Sequence, residues 1–497
     1  MNLKKHLTKA LLILFSFLSV LALSSAIWYT RKYGDTGFMS IISTFLSPWK
    51  GCANSLVESY CLYALIPSVA VTILISVLLF YRGRILLKWK NRQLYPFSRK
   101  CSITLSLVSS LVALSLAMTM VHFPAYVYDN FLTYSTLYED EYVDPSDVKI
   151  TFPEQKRNLV YIYLESMETS FLSEELGGGS KENLIPELYE LATEHLNFSH
   201  FDGVGGYPRV THATWTSAAM VSHTAGVPLT IDISQIDLAD FKGYLPGATT
   251  LQDILHEAGY YQALMVGSDA SFGGRKEYYL QHHTDCVYDL YTARDEGLIP
   301  EDYMVWWGFE DSKLFTYAKS KISEIALGEQ PFAFTLLTVD THHIDGYFCD
   351  YCKKDHSEQY ANVLSCSSRQ VLDFVTWLKE QPFYENTTVI ISGDHPSMDQ
   401  QYFSRNIEKE YERHVYNCFL NVPVEPIKDK NRYFTPMDFF PTTLVALGCH
   451  VEGDRLGLGT NLFSQIPTLA ERMGIDWLNR EISKRSEYYN TQLIPEK

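Results

Sequence analysis

The sequence predicts an α/β domain with a parallel sheet, preceded by transmembrane helices. Three uncharged stretches lie before residue 126, and from about residue 156 apolar, β-branched and aromatic runs alternate with segments of helical period. Such runs are typical of buried parallel strands, and their alternation with helices is the pattern of a parallel α/β domain. The helical segments include Leu184–His195, Thr250–Ala258, Lys313–Ala326 and Ser368–Gln381.

The three uncharged stretches are 10–30, 59–81 and 101–121. Each is long enough to cross a bilayer as a helix, which takes about 20 residues. Seven lysines and arginines lie between the second and third stretches, against three between the first and second. By the positive-inside rule, the N-terminus and the 82–100 loop are cytoplasmic, so the chain after about residue 126 lies outside. A signal peptide cleaved near Ala26 is the alternative for the first stretch. We expect an uncleaved helix, because the stretch is longer than a usual signal-peptide core.

The chain is therefore expected to have three parts: a transmembrane domain over 1–125, a juxtamembrane linker over 126–156 and an extracytoplasmic domain over 157–497. The linker carries aromatic side chains among acids, which suits the membrane interface. The 497 residues carry a formal net charge of −17. This charge argues against a nucleic-acid partner, because the phosphates would be repelled.

Acidic and histidine side chains follow four of the predicted strands. Glu165 follows NLVYIYL, Asp269 follows YYQALMVGS, His342 follows PFAFTLLTVDT, and Asp394–His395 follow TTVIISG. In open α/β sheets, ligands bind just beyond the carboxyl ends of the strands. Carboxylates and imidazoles are good ligands for Zn²⁺ or Mn²⁺, so this pattern predicts a metal-assisted active site. The alternatives are a cap or salt bridge for Glu165, and a capping Asp394 beside a buried His395.

A hydroxyl-rich turn before a small, apolar helical run supplies a candidate nucleophile. In ATWTSAAMVSH, the hydroxyls of Thr214, Thr216 and Ser217 precede the run, and hydroxyls at that position are usually helix caps. A helix N-terminus also binds anions through its free N–H groups and its dipole. A threonine alkoxide beside a divalent metal can attack phosphorus, whereas an unassisted threonine is too weakly acidic.

Two further segments offer groups for a substrate. THHIDG supplies His342 and His343, and we expect one to face the site and the other to pack, since neighbours on a strand alternate. GSDASFGGRKEYY supplies Asp269 and Arg275, and the arginine fork suits phosphate oxygens. The alternative for Arg275 is a surface salt bridge.

Six of the nine cysteines lie in the expected extracytoplasmic domain, namely Cys286, Cys349, Cys352, Cys366, Cys418 and Cys449. An even count in an oxidising compartment favours disulfides, whose pairing the sequence does not show. Half of a zinc site is the alternative for Cys349 and Cys352, but no second CxxC is present to complete it.

Seven motifs carry a family resemblance: YIYLESMETSF, WTSAAM, FGGRKEYY, WWGFEDS, TVDTHHIDG, LSCS and SGDHPSM. Their order and spacing resemble the membrane-anchored phosphoglycerol transferase I and lipoteichoic acid synthase-like family of the sulfatase/alkaline phosphatase superfamily. The resemblance covers roughly residues 156–465. It implies a sulfatase-like α/β sandwich with a mixed, mostly parallel sheet. It also implies a multi-pass protein of the bacterial inner membrane whose catalytic domain lies on the periplasmic or extracellular side.

The resemblance also implies the chemistry. The metal ligands would be Glu165, Thr216, Asp394 and His395, around Mn²⁺, with Zn²⁺ or Mg²⁺ as alternatives. Thr216 would be the nucleophile that takes glycerophosphate from phosphatidylglycerol and releases diacylglycerol. An envelope glycan, such as a periplasmic glucan, would then accept the group from the threonine.

The same resemblance assigns the remaining residues. His342 would contact the phosphate or carry a proton, and Arg275 with Asp269 would hold the headgroup. Cys352 and Cys366 would form a disulfide. The chain departs from the family at Ile344, where a relative has proline, and in having three spans rather than the five of lipoteichoic acid synthase. These departures leave the acceptor open.

Three other functions stay open at this stage. A phosphoethanolamine transferase of the same superfamily would use another lipid donor and usually zinc. A phosphodiesterase or sulfatase-type hydrolase would finish the reaction with water. A true sulfatase needs a C/S-x-P-x-R motif, but Thr216 is followed by SAA. A non-catalytic membrane scaffold would have no need to retain metal.

Overall fold

The computed structural model describes residues 2–34, 38, 41, 54–81, 87–89, 92–94, 99–230 and 245–494. They divide into an N-terminal unit that ends at Tyr128 and a globular unit that begins at Asp129. Most of the 82–100 loop, on which the predicted orientation depends, lies outside the described residues.

The N-terminal unit is built from long apolar helices. They are α1 (Asn2–Tyr33), α2 (Asn54–Tyr60), α3 (Ile66–Tyr81) and α4 (Arg99–Met120), followed by the short α5 (Phe123–Val127), and the π-helical turn Cys61–Leu65 joins α2 to α3. Within the described residues, three segments are long and apolar enough to cross a membrane: His6–Tyr33, Val57–Val77 and Ile103–Met120. Ser16 on α1 hydrogen-bonds to Ser106 and Ser110 on α4, at 3.1 and 2.9 Å. Small residues of this kind allow helices to approach closely where lipid supplies no hydrophobic driving force.

The globular unit is organised around a seven-stranded sheet in the described part of the chain. Its strands are β1 (Asn158–Leu164), β2 (Gly206–Pro208), β3 (Tyr261–Val266), β4 (Cys286–Tyr288), β5 (Phe332–Leu337), β6 (Thr387–Gly393) and β7 (His414–Leu420). Their spatial order is β2-β7-β6-β1-β5-β3-β4; β7 runs antiparallel to β2 and β6, and all other neighbouring pairs are parallel. The strands β6, β1, β5 and β3 therefore end together, at what we call the carboxyl edge. The predicted α/β class and the mixed, mostly parallel sheet are confirmed.

Helices cover both faces of this sheet. They are α6 (Leu137–Glu141), α7 (Pro186–Glu194), α8 (Thr216–Ala225), α9 (Leu251–Glu257), α10 (Arg275–Gln281), α11 (Leu290–Asp295), α12 (Asp311–Ile325), α13 (Gln359–Lys379), α14 (Gln400–Asn406), α15 (Phe439–Ala446), α16 (Leu469–Met473) and α17 (Ile475–Ser483). Side chains of β1 alternate between two cores, because successive residues of a strand point to opposite faces. Tyr161 and Tyr163 pack with α8, α9 and α15, while Val160 and Ile162 pack with α7, α12 and α13.

One helix begins earlier in the structure than the sequence predicts. The segment Ser368–Gln381 belongs to α13, which begins nine residues earlier, at Gln359. Tyr360, Val363 and Leu364 are fully buried and extend the apolar stripe of the helix backwards. The small and polar residues between them hide this stripe in the sequence.

The segment 126–156, which the sequence analysis assigns to a linker, packs on the globular unit from Ser135 onwards. Tyr138 is 4% exposed and lies edge-on to Tyr489, with ring centroids 5.3 Å apart. Ile150–Thr151 pairs antiparallel with His450–Val451. Contacts over such short stretches leave no periodic signal in the sequence.

Candidate active site

Three of the expected ligands meet at the carboxyl edge. Glu165 follows β1 and Asp394–His395 follow β6, and these two strands are paired in parallel up to Leu164 and Gly393. His395 Nε2 lies 3.7 Å from Glu165 Oε1 and 3.4 Å from Asp394 Oδ2. All three side chains are buried. Adjacency of the two strands therefore places one imidazole and two carboxylates in a single buried cluster.

The two carboxylate oxygens of Asp394 differ in their hydrogen bonding. Its Oδ1 accepts hydrogen bonds from the backbone N–H of Ser166 and of His395, both at 2.8 Å. Its Oδ2 is buried and accepts no hydrogen bond within the described structure. Burial, and then the charge of Glu165, raise the pKa of Asp394 to about 7. A buried carboxylate oxygen without a partner is costly unless a cation compensates it.

His395 is oriented by its own loop. Its Nδ1 lies 3.0 Å from the carbonyl oxygen of Pro396, so we assign the ring proton to Nδ1 and the lone pair to Nε2. Burial lowers the pKa of His395, but the carboxylates of Asp394 and Glu165 outweigh it and the pKa rises. The Nε2 lone pair therefore faces the two carboxylates, where a proton or a metal would stabilise it.

Glu165 is held as a carboxylate. Ser166, whose backbone is left-handed at φ 56°, donates its hydroxyl to Glu165 Oε1 at 2.7 Å. Burial would raise the pKa of Glu165, but the charges of His342 and His395 oppose it and the net pKa is lowered. The backbone N–H of Glu165 donates to Thr338 Oγ1 at 3.0 Å, which ties the end of β1 to the end of β5.

Thr216 stands at the first position of α8 with its hydroxyl in this cluster. Its Oγ1 donates to Glu165 Oε2 at 3.2 Å and lies 3.5 Å from His395 Nε2. The preceding residue, Trp215, makes no side-chain cap, and the first backbone bond of the helix is from Ala219 N–H to Trp215 C=O. The Thr216 hydroxyl therefore does not act as a cap. The first N–H groups of the helix have no intrahelical acceptor, which leaves them available to an anion.

Arg275 and Asp269 lie beside this group of residues. Arg275 is 7% exposed and donates to Ser268 Oγ at 3.1 Å and to the carbonyl oxygen of Asp269 at 2.8 Å. Its Nε is buried and makes no hydrogen bond in the described structure. Burial lowers the pKa of Arg275, while the carboxylates of Glu165, Asp269 and others oppose this effect. The surface salt bridge considered for Arg275 is wrong, because the side chain is buried.

The turn that carries Arg275 packs directly on the start of α8. A Cβ added at Gly273, which has a φ of +68°, would lie 2.6 Å from Ser217 Oγ. Only glycine combines this backbone conformation with so close an approach. The FGGR turn therefore brings the guanidinium-bearing helix against the helix that carries Thr216.

His342 and His343 follow β5 in a turn rather than in a strand. Their rings stack with centroids 4.3 Å apart, so they do not alternate as strand neighbours would, although one is partly exposed and the other buried as expected. His342 is partly exposed, close enough to Glu165 to lower its pKa, and packs against Trp307 at 4.6 Å. His343 is buried. His342 is thus the histidine of the pair that is open to a substrate.

A buried tyrosine–histidine chain, which the sequence analysis missed, supports the backbone of Asp394. Tyr207 Oη lies 3.2 Å from the carbonyl oxygens of Gly393 and Asp394 and 3.0 Å from His223 Nε2, and Tyr161 Oη lies 2.8 Å from His223 Nδ1. Burial lowers the pKa of His223 to about 3, so the ring is neutral. One arrangement satisfies every group: Tyr161 donates to Nδ1, Nε2–H donates to Tyr207, and Tyr207 donates to a carbonyl. The sequence signal for this chain of hydrogen bonds was a histidine, His223, among the small and apolar residues of α8.

A buried ion pair, also missed, fixes the loop after His395. Arg413 donates to both carboxylate oxygens of Glu168, which is fully buried, and also to the carbonyl oxygen of Ser397 at 2.6 Å. The backbone N–H of Ser397 donates to Glu168 Oε1 at 2.8 Å. Glu168 thus connects the end of β1 with the residues that follow the Asp–His pair.

The donor set fits a divalent metal. Glu165, Asp394 and His395 each offer a ligand atom within 4.8 Å of the others. Thr216 Oγ1 adds a fourth donor and the third oxygen, and four oxygen or nitrogen donors are what Zn²⁺ takes. The unpartnered Oδ2 of Asp394 is the observation that argues most directly for a cation.

The cysteines show a different arrangement from the expected one. All seven cysteines whose side chains the structure describes are thiols. Cys352 and Cys366, expected as a disulfide, are not bonded to each other and lie in one cluster with Cys349.

Known proteins resemble this chain over most of the globular unit. A family profile described as Sulfatase matches residues 157–449. Phosphoglycerol transferase I of Xanthomonas euvesicatoria pv. vesicatoria (strain 85-10) is 29% identical over 321 residues, which are 63% of this chain and 43% of that protein. The chain therefore spans less than half of the length of this relative.

Two solved structures show the same fold. A protein in the alkaline phosphatase superfamily from Vibrio parahaemolyticus matches with a TM-score of 0.51 and 21% identity, over 66% of this chain and 76% of its own. The integral membrane protein lipooligosaccharide phosphoethanolamine transferase A from Neisseria meningitidis matches with a TM-score of 0.50 and 14% identity, over 89% and 84%. Because the Sulfatase match covers more than half of the 497 residues and three apolar helices precede it, the chain is a membrane-anchored member of the sulfatase family.

Proposed function

We propose that this chain transfers glycerophosphate from phosphatidylglycerol to an extracytoplasmic glycan, with Thr216 as the nucleophile. The observation that carries the proposal is the Thr216 hydroxyl, which lies 3.2 Å from Glu165 Oε2 and 3.5 Å from His395 Nε2. The name of the relative from Xanthomonas, phosphoglycerol transferase I, supports this choice of group. The membrane helices support a lipid donor.

In the first step, Thr216 Oγ attacks the phosphorus of the lipid headgroup. Its proton passes to Glu165 Oε2, to which the hydroxyl already donates. The bond from Oγ to phosphorus forms and the bond to the diacylglycerol oxygen breaks. His342, the partly exposed histidine of the site, donates a proton to that leaving oxygen.

Arg275 and the start of α8 would hold the phosphoryl oxygens. The guanidinium is buried, its Nε–H makes no hydrogen bond to the residues that the structure describes, and the first N–H groups of α8 lack intrahelical acceptors. Donors aimed at oxygens that gain charge in the transition state stabilise it more than the ground state. Asp269, whose backbone carbonyl accepts from Arg275, can accept a hydroxyl of the glycerol through its carboxylate.

In the second step, a hydroxyl of the glycan attacks the phosphorus of the threonine-bound group. The neutral His342 takes its proton, the bond from phosphorus to Thr216 breaks, and Glu165 returns the proton to the threonine. Two displacements of this kind predict ping-pong kinetics.

Glu165, Thr216, Asp394 and His395 would hold the metal, which we propose to be Mn²⁺. A divalent ion held there would lower the pKa of the threonine hydroxyl and polarise the phosphoryl oxygen. We further propose that the globular unit lies on the periplasmic side of a bacterial inner membrane, where the donor lipid and an envelope glycan are both accessible. The charge distribution around the three spans supports this orientation.

The test is an intact-mass measurement on the full chain in detergent with Mn²⁺. The protein is incubated with phosphatidylglycerol and then, separately, with phosphatidylethanolamine, and each sample is quenched. We expect a glycerophosphate adduct and free diacylglycerol from phosphatidylglycerol, and neither from Thr216→Ala. Thr214→Ala, in the same turn and without a bond to Glu165, is the matched control and should form the adduct.

Each other outcome selects another function. An adduct from phosphatidylethanolamine alone would identify a phosphoethanolamine transferase. Glycerophosphate released into water without any acceptor would identify a hydrolase. A chain that gives no adduct and no diacylglycerol, and that binds no metal, would be a scaffold. Normal turnover by Thr216→Ala would refute the assignment of the nucleophile.

A further inference from the structure

Three thiols of the globular unit converge in a second cluster. Cys349 Sγ lies 3.5 Å from Cys352 Sγ and 3.9 Å from Cys366 Sγ, and all three sulfur atoms lie within 4.8 Å of one another. Cys349 and Cys366 are 2% and 1% exposed, while Cys352 is partly exposed. The three atoms therefore surround one point that is open to solvent on the side of Cys352.

We propose that Cys349, Cys352 and Cys366 form a zinc site. Sulfur ligands at about 2.3 Å from a tetrahedral Zn²⁺ lie about 3.8 Å from one another. The separations of 3.5 and 3.9 Å fall on either side of that value, and the third is no more than 4.8 Å. A water molecule would take the fourth position on the side of Cys352, because no fourth histidine, cysteine or acid joins this group among the described residues.

The local structure provides what a zinc site with thiolate ligands needs. Cys349 and Cys352 form a CxxC turn that is closed by a hydrogen bond from Cys352 N–H to Cys349 C=O at 3.0 Å. The third ligand comes from α13, which places Cys366 against this turn. One turn further along α13, Gln370 donates its side-chain N–H to Cys366 Sγ at 3.4 Å. Hydrogen bonds of this kind orient metal ligands from the second layer.

The negative charge of a buried carboxylate near Cys349, that of Asp340, is not balanced by a hydrogen bond from any described residue. Asp340 is 2% exposed, and neither of its oxygens has a hydrogen-bond partner in the described structure. Its charge and that of Cys349 lie close enough to repel each other. A cation beside Cys349 would reduce the cost of burying this acid.

The position of the cysteine cluster would allow the metal to stabilise the segment that carries His342. The chain between Asp340 and Cys349 is tied back by a bond from Tyr347 N–H to Asp340 C=O at 2.7 Å. Tyr360, on α13, donates its hydroxyl to the carbonyl of Thr341, next to His342. A zinc ion joining the CxxC turn to α13 would therefore fix both ends of the segment that carries His342.

The test measures zinc in the full chain in detergent, in an Asp394→Asn background that disables the cluster of Glu165. Protein purified with zinc and reductant is dialysed and its zinc content determined. We expect one zinc per chain, lost when Cys352→Ser is added. Cys286→Ser, another partly exposed cysteine outside the cluster, is the matched control and should keep the zinc.

A second measurement does not depend on any cysteine variant folding. The Asp394→Asn chain is loaded with Co²⁺, and we expect a thiolate-to-cobalt charge-transfer band that a chelator removes. Equal zinc content in the Cys352→Ser and Cys286→Ser proteins would overturn the proposal, as would absence of the band. A pair of cluster cysteines that can be alkylated only after reduction, in the denatured and metal-free chain, would show a disulfide instead of a zinc site.

Discussion

The ion pair between Glu168 and Arg413 gives the sharpest test of how the site is supported. In Glu168→Gln the side chain keeps its size but loses its charge. Arg413 then faces an amide instead of the carboxylate that accepts both of its donors, and it has lost its buried counter-charge. Two further donors, Ser170 Oγ–H and Ser397 N–H, also point at the lost carboxylate.

The expected cost follows from the burial of the pair. Breaking a buried pair by removing one partner costs about 3–5 kcal/mol, whereas exposed pairs contribute about 0–1 kcal/mol. Glu168 is fully buried but Arg413 is 23% exposed, so we expect the lower end, about 3 kcal/mol of unfolding free energy. Because Ser397 lies two residues after His395, metal affinity should also fall, by about 10–100-fold as for other residues that support ligands.

The assay is denaturant unfolding of the full chain in detergent, followed by tryptophan fluorescence, together with metal titration. Glu358→Gln is the matched control, since it breaks an ion pair with Arg405 of 2.7 Å whose side chains are 31% and 51% exposed. The control should lose less than about 1 kcal/mol. The reasoning is refuted if Glu168→Gln costs no more than Glu358→Gln, or if it leaves metal affinity unchanged.

The remaining predictions concern the site itself. Arg275→Met should lower kcat/KM by about 100-fold and Arg275→Lys by less, because one charged donor to the phosphoryl group is lost or misplaced; steady-state kinetics measures this, and equal rates would exclude a role for the guanidinium. The raised pKa of Asp394, about 7, means that the folded metal-free chain binds a proton that the unfolded chain has already released. Stability of the chelated protein should therefore decline as the pH rises from about 4 to 7. Asp394→Asn should flatten that decline in thermal unfolding, and an unchanged slope would contradict the assignment. Tyr207→Phe should cost about 1–3 kcal/mol, because His223 Nε2–H and a backbone carbonyl are left buried without a partner; a neutral result in denaturant unfolding would show that the chain of hydrogen bonds is not formed.

The sequence by itself determined the class of fold and the edge where ligands gather. Apolar runs that stop at Glu165, Asp269, His342 and Asp394 are buried strands with polar ends, and β6, β1, β5 and β3 are adjacent and parallel in the structure. Parallel strands end at one edge, so polar residues at their carboxyl ends must lie near one another. A second local signal, an uncharged stretch of about 20 residues, identified the three apolar helices.

Only the tertiary structure decided which groups touch. Thr216 meets Glu165 and His395, which lie 51 and 179 residues away, because α8 starts beside the ends of β1 and β6. Arg413 reaches Glu168 across 245 residues. Such contacts depend on strand order and on where loops return, and neither leaves a local pattern in the sequence.

The cysteines show most clearly which features the sequence predicts and which depend on the tertiary structure. The CxxC of Cys349 and Cys352 is visible in the sequence, and the family resemblance pairs Cys352 with Cys366 in a disulfide, but neither shows that all three thiols meet in one cluster. Packing of α13 against the turn after β5 brings the third thiol to within 3.9 Å of Cys349. The order of residues along the chain therefore determines which reactive side chains lie in one turn or at one strand end. The packing of the helices on the sheet decides which distant side chains meet.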